Sequence, residues 1–131
     1  MNTDVPDFEW FIERLKLDCT CLSDEQQLVR DAVELIWRGL SGLSGVDEVV
    51  AQLPATRRTL ERRFRCELGR GIGEVVSLAR LELAKWLLTQ TAQPIHAVAR
   101  RSGYSSSDSM GKAIHRDTGM TPTEYRGQDP A

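Results

Sequence analysis

Long apolar runs are missing from this sequence. None approaches the roughly 20 consecutive apolar residues that would span a bilayer. The opening MNTDVPDFEW has neither the basic start nor the apolar core of an export signal. A cytoplasmic protein with no membrane partner is therefore expected. Cysteine is scarce: only Cys19, Cys21 and Cys66 are present. An odd number without framework spacing argues for free thiols in a reducing compartment rather than a disulfide scaffold. Histidine is scarcer still, with His96 and His115 alone. Cys19 and Cys21 could supply half of a zinc site, but a closed site needs four ligands and no histidine is placed to complete it. No metal and no cofactor are expected. Neither histidine has a cysteine, serine or carboxylate at a spacing that predicts a catalytic dyad or triad, which speaks against an enzyme. Strand-forming residues are thin beside Leu, Ala, Arg and Glu, so the fold class expected is all-α.

What is present is unevenly distributed. The formal net charge of the 131 residues is -2, an unpromising total for a nucleic-acid binder. Residues 1–52 hold 4 Lys/Arg against 11 Asp/Glu, a balance of -7, whereas residues 53–131 hold 13 against 8, a balance of +5. A local basic patch steers a protein to phosphate whatever the total charge.

One stretch organises the rest. From Glu74 to Gln90, Val75, Val76, Leu78, Ala79, Leu81, Leu83, Trp86, Leu87 and Leu88 recur at three- and four-residue steps. The spacing predicts a helix of more than four turns, with Arg80, Glu82 and Lys85 toward water. On either side lies a similar unit: a short helix, a tight turn and a capped second helix.

In chain order, Phe8, Trp10, Phe11, Ile12 and Leu15 are too apolar for a solvated tail. A short helix over about residues 7–17 is expected to dock on the body or on another copy. Ser23 and Gln26 suit a helix start. Leu28, Ala32, Val33, Leu35, Ile36 and Trp37 follow at helical spacing, until Gly39. Leu40 and Leu43 are expected to tuck inward. A second short helix runs from Val46 to Leu53, and Thr56 caps the next. In that third helix Leu60 and Phe64 stand four apart and face inward. Five arginines, Arg57, Arg58, Arg62, Arg63 and Arg65, share the segment with one acid, Glu61. This is the pattern of a basic helix-turn-helix, and arginine's planar fork suits both guanine and phosphate. Cys66 reads as core or semi-buried filler.

The second unit starts at Pro94, with Ile95, Val98 and Ala99 inward. Gly103 and Tyr104 form its turn, and a serine of Ser105–Ser107 caps the next helix. Met110 and Ile114 repeat the spacing of Leu60 and Phe64, and Gly119 stops the helix. A last turn, TPTEYR, brings Tyr125 over the core. The same architectural unit thus occurs twice, which is stronger evidence than either copy.

On these residues the chain resembles the DNA-binding domain of AraC/XylS-type transcription regulators, in particular the xylose-operon activator subgroup. The matching pieces are VDEVVAQLPATRRTLERRFRCELGRGI, LARLELAKWLLTQT, IHAVARRSGYSSSDS and GMTPTEYR. The resemblance implies two helix-turn-helix subdomains joined by a long linker helix, about seven helices in all besides the N-terminal one. The organisation expected is an extension over 1–24, then units at 25–70 and 91–131 flanking a linker helix at 72–90. By position, Arg58, Glu61 and Arg62 in the first unit, and Asp108, Gly111 and Lys112 in the second, correspond to base-facing sites. Arg57, Arg63, Arg65, Arg101 and Arg116 correspond to phosphate contact or support. The partners implied are double-stranded DNA and RNA polymerase. Self-association is expected through residues 7–17.

The chain departs from the family pattern at Met110 and Ile114, where aromatics are usual. It also departs at Asp108, Gly111 and Lys112. Asp108 repels phosphate and Gly111 loosens its helix, so the first unit is expected to bind more strongly. Residues 1–24 are too few to build the sensor domain that family members usually carry, and no small-molecule ligand is expected. The rival expectation is a protein-interaction module that keeps the fold with weakened or lost DNA recognition.

Overall fold

Helix-favouring periodicity gives rise to eight helices and no strand among the described residues of the computed structural model, which are 6–15, 24–40 and 46–127. In chain order they are α1 (Phe8–Leu15), α2 (Asp24–Arg38), α3 (Val46–Ala51), α4 (Arg57–Leu68), α5 (Ile72–Gln90), α6 (Ile95–Arg101), α7 (Ser107–Thr118) and α8 (Pro122–Arg126). No helix of the described residues is long and apolar enough to cross a membrane. Cys19, Cys21, Ser23 and Leu43, residues 16–17 of the expected 7–17 helix and residues 1–5 and 16–23 of the expected 1–24 extension lie outside the described residues.

The two units are built by the same local devices. Thr56 caps α4, its Oγ1 accepting from the Thr59 N–H at 3.2 Å, and Ser106 caps α7, accepting from the Ser109 N–H at 3.1 Å. Both helices end at a left-handed glycine, Gly69 with φ 69° and Gly119 with φ 77°. Leu60 and Phe64 of α4, and Met110 and Ile114 of α7, are fully buried. α8 is held by a capping box in which Thr121 accepts from the Glu124 N–H and Glu124 accepts from the Thr121 N–H.

Both units lean on α5. α5 packs against α2, α3 and α4 on one hand and α6, α7 and α8 on the other, burying Ile72, Val75, Val76, Ala79, Leu83, Ala84, Leu87 and Leu88. The helix runs from Ile72 to Gln90. Its start is satisfied from inside and outside the helix: Glu74 of its own first turn accepts from the Gly71 N–H at 3.1 Å, and Glu61 of α4 accepts from the Ile72 N–H at 2.9 Å. Helix N-termini leave N–H groups without intrahelical partners, and two carboxylates here meet that need. The structure corrects the expectation that Arg80, Glu82 and Lys85 face water, since all three are half-buried by the neighbouring units. α3 is also shorter than expected, stopping at Ala51. The N–H groups of Gln52 and Leu53 bond three residues back, tightening its last turn.

A glycine locks the units together. Gly103, with φ 95°, brings the turn between α6 and α7 so close to the end of α2 that a Cβ would stand 2.5 Å from the Leu40 carbonyl oxygen.

The N-terminal helix is part of the same core. Phe8, Phe11, Ile12 and Leu15 are buried, and the Phe11 ring stacks on Trp37 with centroids 4.7 Å apart. Trp37 Nε1 donates to the Pro6 carbonyl at 3.0 Å, and Asp7 caps α1 by accepting from the Trp10 N–H. Arg30 of α2 pairs with Glu9 at 2.8 Å. Of the two expectations for this stripe, docking on the body or on another copy, residues 8–15 meet the first, packing on the chain's own α2.

Gly111, inside α7, has room for a side chain: the nearest atom to an added Cβ is Pro122 Cδ at 3.8 Å. Gly111→Ala is therefore expected to stabilise the domain by about 1 kcal/mol through helix propensity. Thermal melting checks this, and a lowered midpoint would contradict it.

Candidate nucleic-acid interface

The sequence of α4 sorts its side chains by face. With Leu60 and Phe64 turned into the core, Arg58, Arg62 and Arg65 are left exposed on the outer stripe, at helical spacing. Arg58 and Arg62 make no ion pair among the described residues. Their guanidinium groups stand out from the helix with all donors available. Arg57 is instead tied to Asp47 of α3 at 2.9 Å, and Arg65 to Glu74 of α5 at 3.3 Å. Arg63 is half-buried on the flank. Glu61, expected among the base-facing sites, has its carboxylate engaged by the start of α5.

The second unit presents a different surface. Asp108 and Lys112 pair across one turn of α7 at 3.2 Å, both largely exposed. Gly111 lies between them and beside Pro122, with no side chain to offer. Arg116 is exposed one turn beyond Lys112, while Arg101 is half-buried at the end of α6. Arg126 of the TPTEYR ending turns inward, its Nε donating to the Leu88 carbonyl at 3.0 Å.

A groove of about 580 Å³ runs along α5 between the two units. Arg70, Arg80, Tyr104, Lys112, Arg116 and Asp117 line it. Burial pushes the Tyr104 hydroxyl up to about 12, with Arg80 pulling the other way, so it stays neutral at any physiological pH. Neither Arg70 nor Arg80 is among the DNA-contact residues expected from the sequence. Arg70 sits in a glycine-flanked linker and Arg80 in the middle of a helix, and only the packing of α7 against α5 puts them beside Lys112 and Arg116. Arg58 and Arg62 do not line this groove. Cys66 is exposed on α4 rather than core filler, and His96 and His115 are exposed as well.

Residues 49–128 match the family model of a helix-turn-helix domain. A protein described as an AraC-like transcription regulator, from Streptomyces antibioticus, is 30% identical over 99 residues, which are 76% of this chain and 33% of that protein. The chain thus spans about a third of that relative's length. Among solved structures, the xylose-binding transcription activator xylR superimposes with a TM-score of 0.71 at 29% identity, over 83% of this chain and 28% of that one. The DNA-binding domain of the global transcriptional factor AdpA, solved in complex with a target DNA, superimposes with a TM-score of 0.70 at 26% identity, over 76% of this chain and 89% of that one. The matched span contains both capped helices, α4 and α7, and the linker helix between them. The chain belongs to the helix-turn-helix family, as a domain of the AraC type.

Proposed function

We propose that this domain binds double-stranded DNA sequence-specifically, in the service of transcription regulation, with α4 and α7 as its two recognition helices. The observation that carries the reading is the outer face of α4. Arg58 and Arg62 lie four apart on a helix whose opposite face is sealed into the core, and neither is neutralised by a neighbouring acid. A rigid linker helix then serves to place the two recognition helices in successive major grooves, about 34 Å apart. The site is asymmetric and spans roughly two turns of duplex.

Within this reading Arg58 and Arg62 approach base edges, and Lys112 does so with Asp108 beside it. Glu61 acts through the start of α5, which it holds against the recognition helix. Arg116 and Arg63 serve the backbone, with Arg57, Arg65 and Arg101 as support. The likeness to the xylose-binding activator supports placing the chain near that subgroup. RNA polymerase is the protein partner this reading entails.

Selection of bound duplexes from a random pool, followed by titration of the selected site at several salt concentrations, tests the reading. A recovered consensus is expected, with the logarithm of affinity falling linearly as the logarithm of salt rises. Recovery of no consensus, with no salt-dependent binding to any duplex, would favour the interaction-module reading. The Asp108–Lys112 pair, which removes net charge from α7, is the observation that favours that alternative.

A further inference from the structure

Four charged side chains from three helices form a continuous relay that continues along α5 from the groove residues Leu78 and Leu81. Arg14 of α1 lies over the Trp10 ring, 3.6 Å from its centroid, and its Nε reaches Glu82 at 3.4 Å. Glu82 in turn lies 3.4 Å from Lys85 Nζ, and Lys85 donates to Asp117 of α7 at 3.0 Å. Glu82 and Lys85 are the half-buried members, with side chains 19% and 24% exposed, so this relay is less screened by solvent than an isolated surface pair. Burial alone would lower the Lys85 pKa. The hydrogen bond that Lys85 donates to Asp117 and the nearby Glu82 carboxylate outweigh it and raise the pKa, so Lys85 stays charged.

Asp117 faces both ways. It also lines the groove that holds Arg70, Arg80, Lys112 and Arg116. The other acid of that groove, Glu74, is already engaged by Arg65 and by the Gly71 N–H. Left unpaired, Asp117 would put a negative charge in the cleft beside the second recognition helix, where the phosphate backbone must approach.

We propose that Lys85 is a positioning and charge-masking residue for DNA binding: held by Glu82, which Arg14 of the N-terminal helix holds in turn, it neutralises Asp117 and keeps the groove between α5 and the second recognition helix electropositive. Lys85 itself touches no DNA. This inference rests on the DNA-binding reading above and deepens it. It makes α1, outside the span matched by the family model, a contributor to the second unit's affinity.

The test uses the full chain and a selected duplex, with Lys85→Met, Asp117→Asn, the double variant and Lys85→Arg compared by titration at fixed salt. One unmasked charge at contact range corresponds to a loss of roughly fivefold for Lys85→Met. The loss should shrink as salt rises. Adding Asp117→Asn to Lys85→Met should restore affinity although the ion pair is still absent, and Lys85→Arg should keep it. A residue with a purely structural role would lower the melting temperature without that rescue. Unchanged affinity in Lys85→Met, or a loss that Asp117→Asn fails to reverse, overturns the proposal while leaving the DNA-binding reading intact. Failure of the unsubstituted chain to bind any selected duplex overturns both.

Discussion

Arg62→Ala is expected to weaken binding to a selected duplex by roughly 5- to 150-fold, the equivalent of the ~1–3 kcal/mol carried by one bidentate Arg–guanine pair. It should also flatten base preference in one half-site only. Arg62 is exposed on α4, backed by a fully buried Phe64 two residues on, and has no acidic neighbour to release before it meets a base. Arg62→Lys separates charge from shape. It keeps the positive charge, and so most of the salt dependence, but loses the planar fork that reads two acceptors at once. Lys112→Ala is expected to cost less than Arg62→Ala, because Lys112 already shares its charge with Asp108 at 3.2 Å. Titration of each variant against one operator at one salt concentration decides the ranking. A larger loss from Lys112→Ala would reverse the assignment of the stronger reader to the first unit.

Phe11→Ala is expected to destabilise the domain by about 3–5 kcal/mol, the usual cost of removing a buried aromatic ring and leaving its cavity. Against a total stability of roughly 5–15 kcal/mol for a domain, that is a large fraction. Phe11 is fully buried and stacks at 4.7 Å on Trp37, so the loss falls on the packing between α1 and α2. Denaturant unfolding followed by tryptophan fluorescence measures it directly, since Trp10 and Trp37 flank the site. A change below about 0.5 kcal/mol, the range of ordinary surface substitutions, would mean that α1 is a loosely attached tail. The outcome matters for function as well as for stability. α1 carries Arg14, the first member of the relay that ends on the second recognition helix. Destabilising α1 should therefore lower DNA affinity at temperatures where the rest of the chain is still folded.

The two effects have different physical origins. Arg62 acts in a wet, exposed surface where planar geometry and charge are recognised. Phe11 acts in a dry core where volume and contact are. Neither variant should mimic the other: Arg62→Ala should leave the melting temperature nearly unchanged, and Phe11→Ala should leave the base preference of the folded fraction intact.

Sequence alone determined the local devices. Thr56 as one cap and a serine of Ser105–Ser107 as the other, Leu60/Phe64 and Met110/Ile114 as inward pairs, and Gly69 and Gly119 as stops were legible; which serine caps, Ser106, was left to the structure. Each depends on residues within about four positions of one another, where helical geometry leaves few alternatives. The long apolar interval was legible as a linker helix for the same reason. Only the tertiary structure decided which charges remain available. Arg57 meets Asp47 ten positions away, Glu61 meets the Ile72 N–H eleven away, and Lys85 meets Asp117 thirty-two away. No spacing rule announces such pairs, because they depend on how separate helices pack. The same cause exposes Cys66 and half-buries Glu82 and Lys85. It also folds the apolar stripe of α1 onto its own chain: amphipathic spacing states that a face must be covered, and the packing of α2 determines by what.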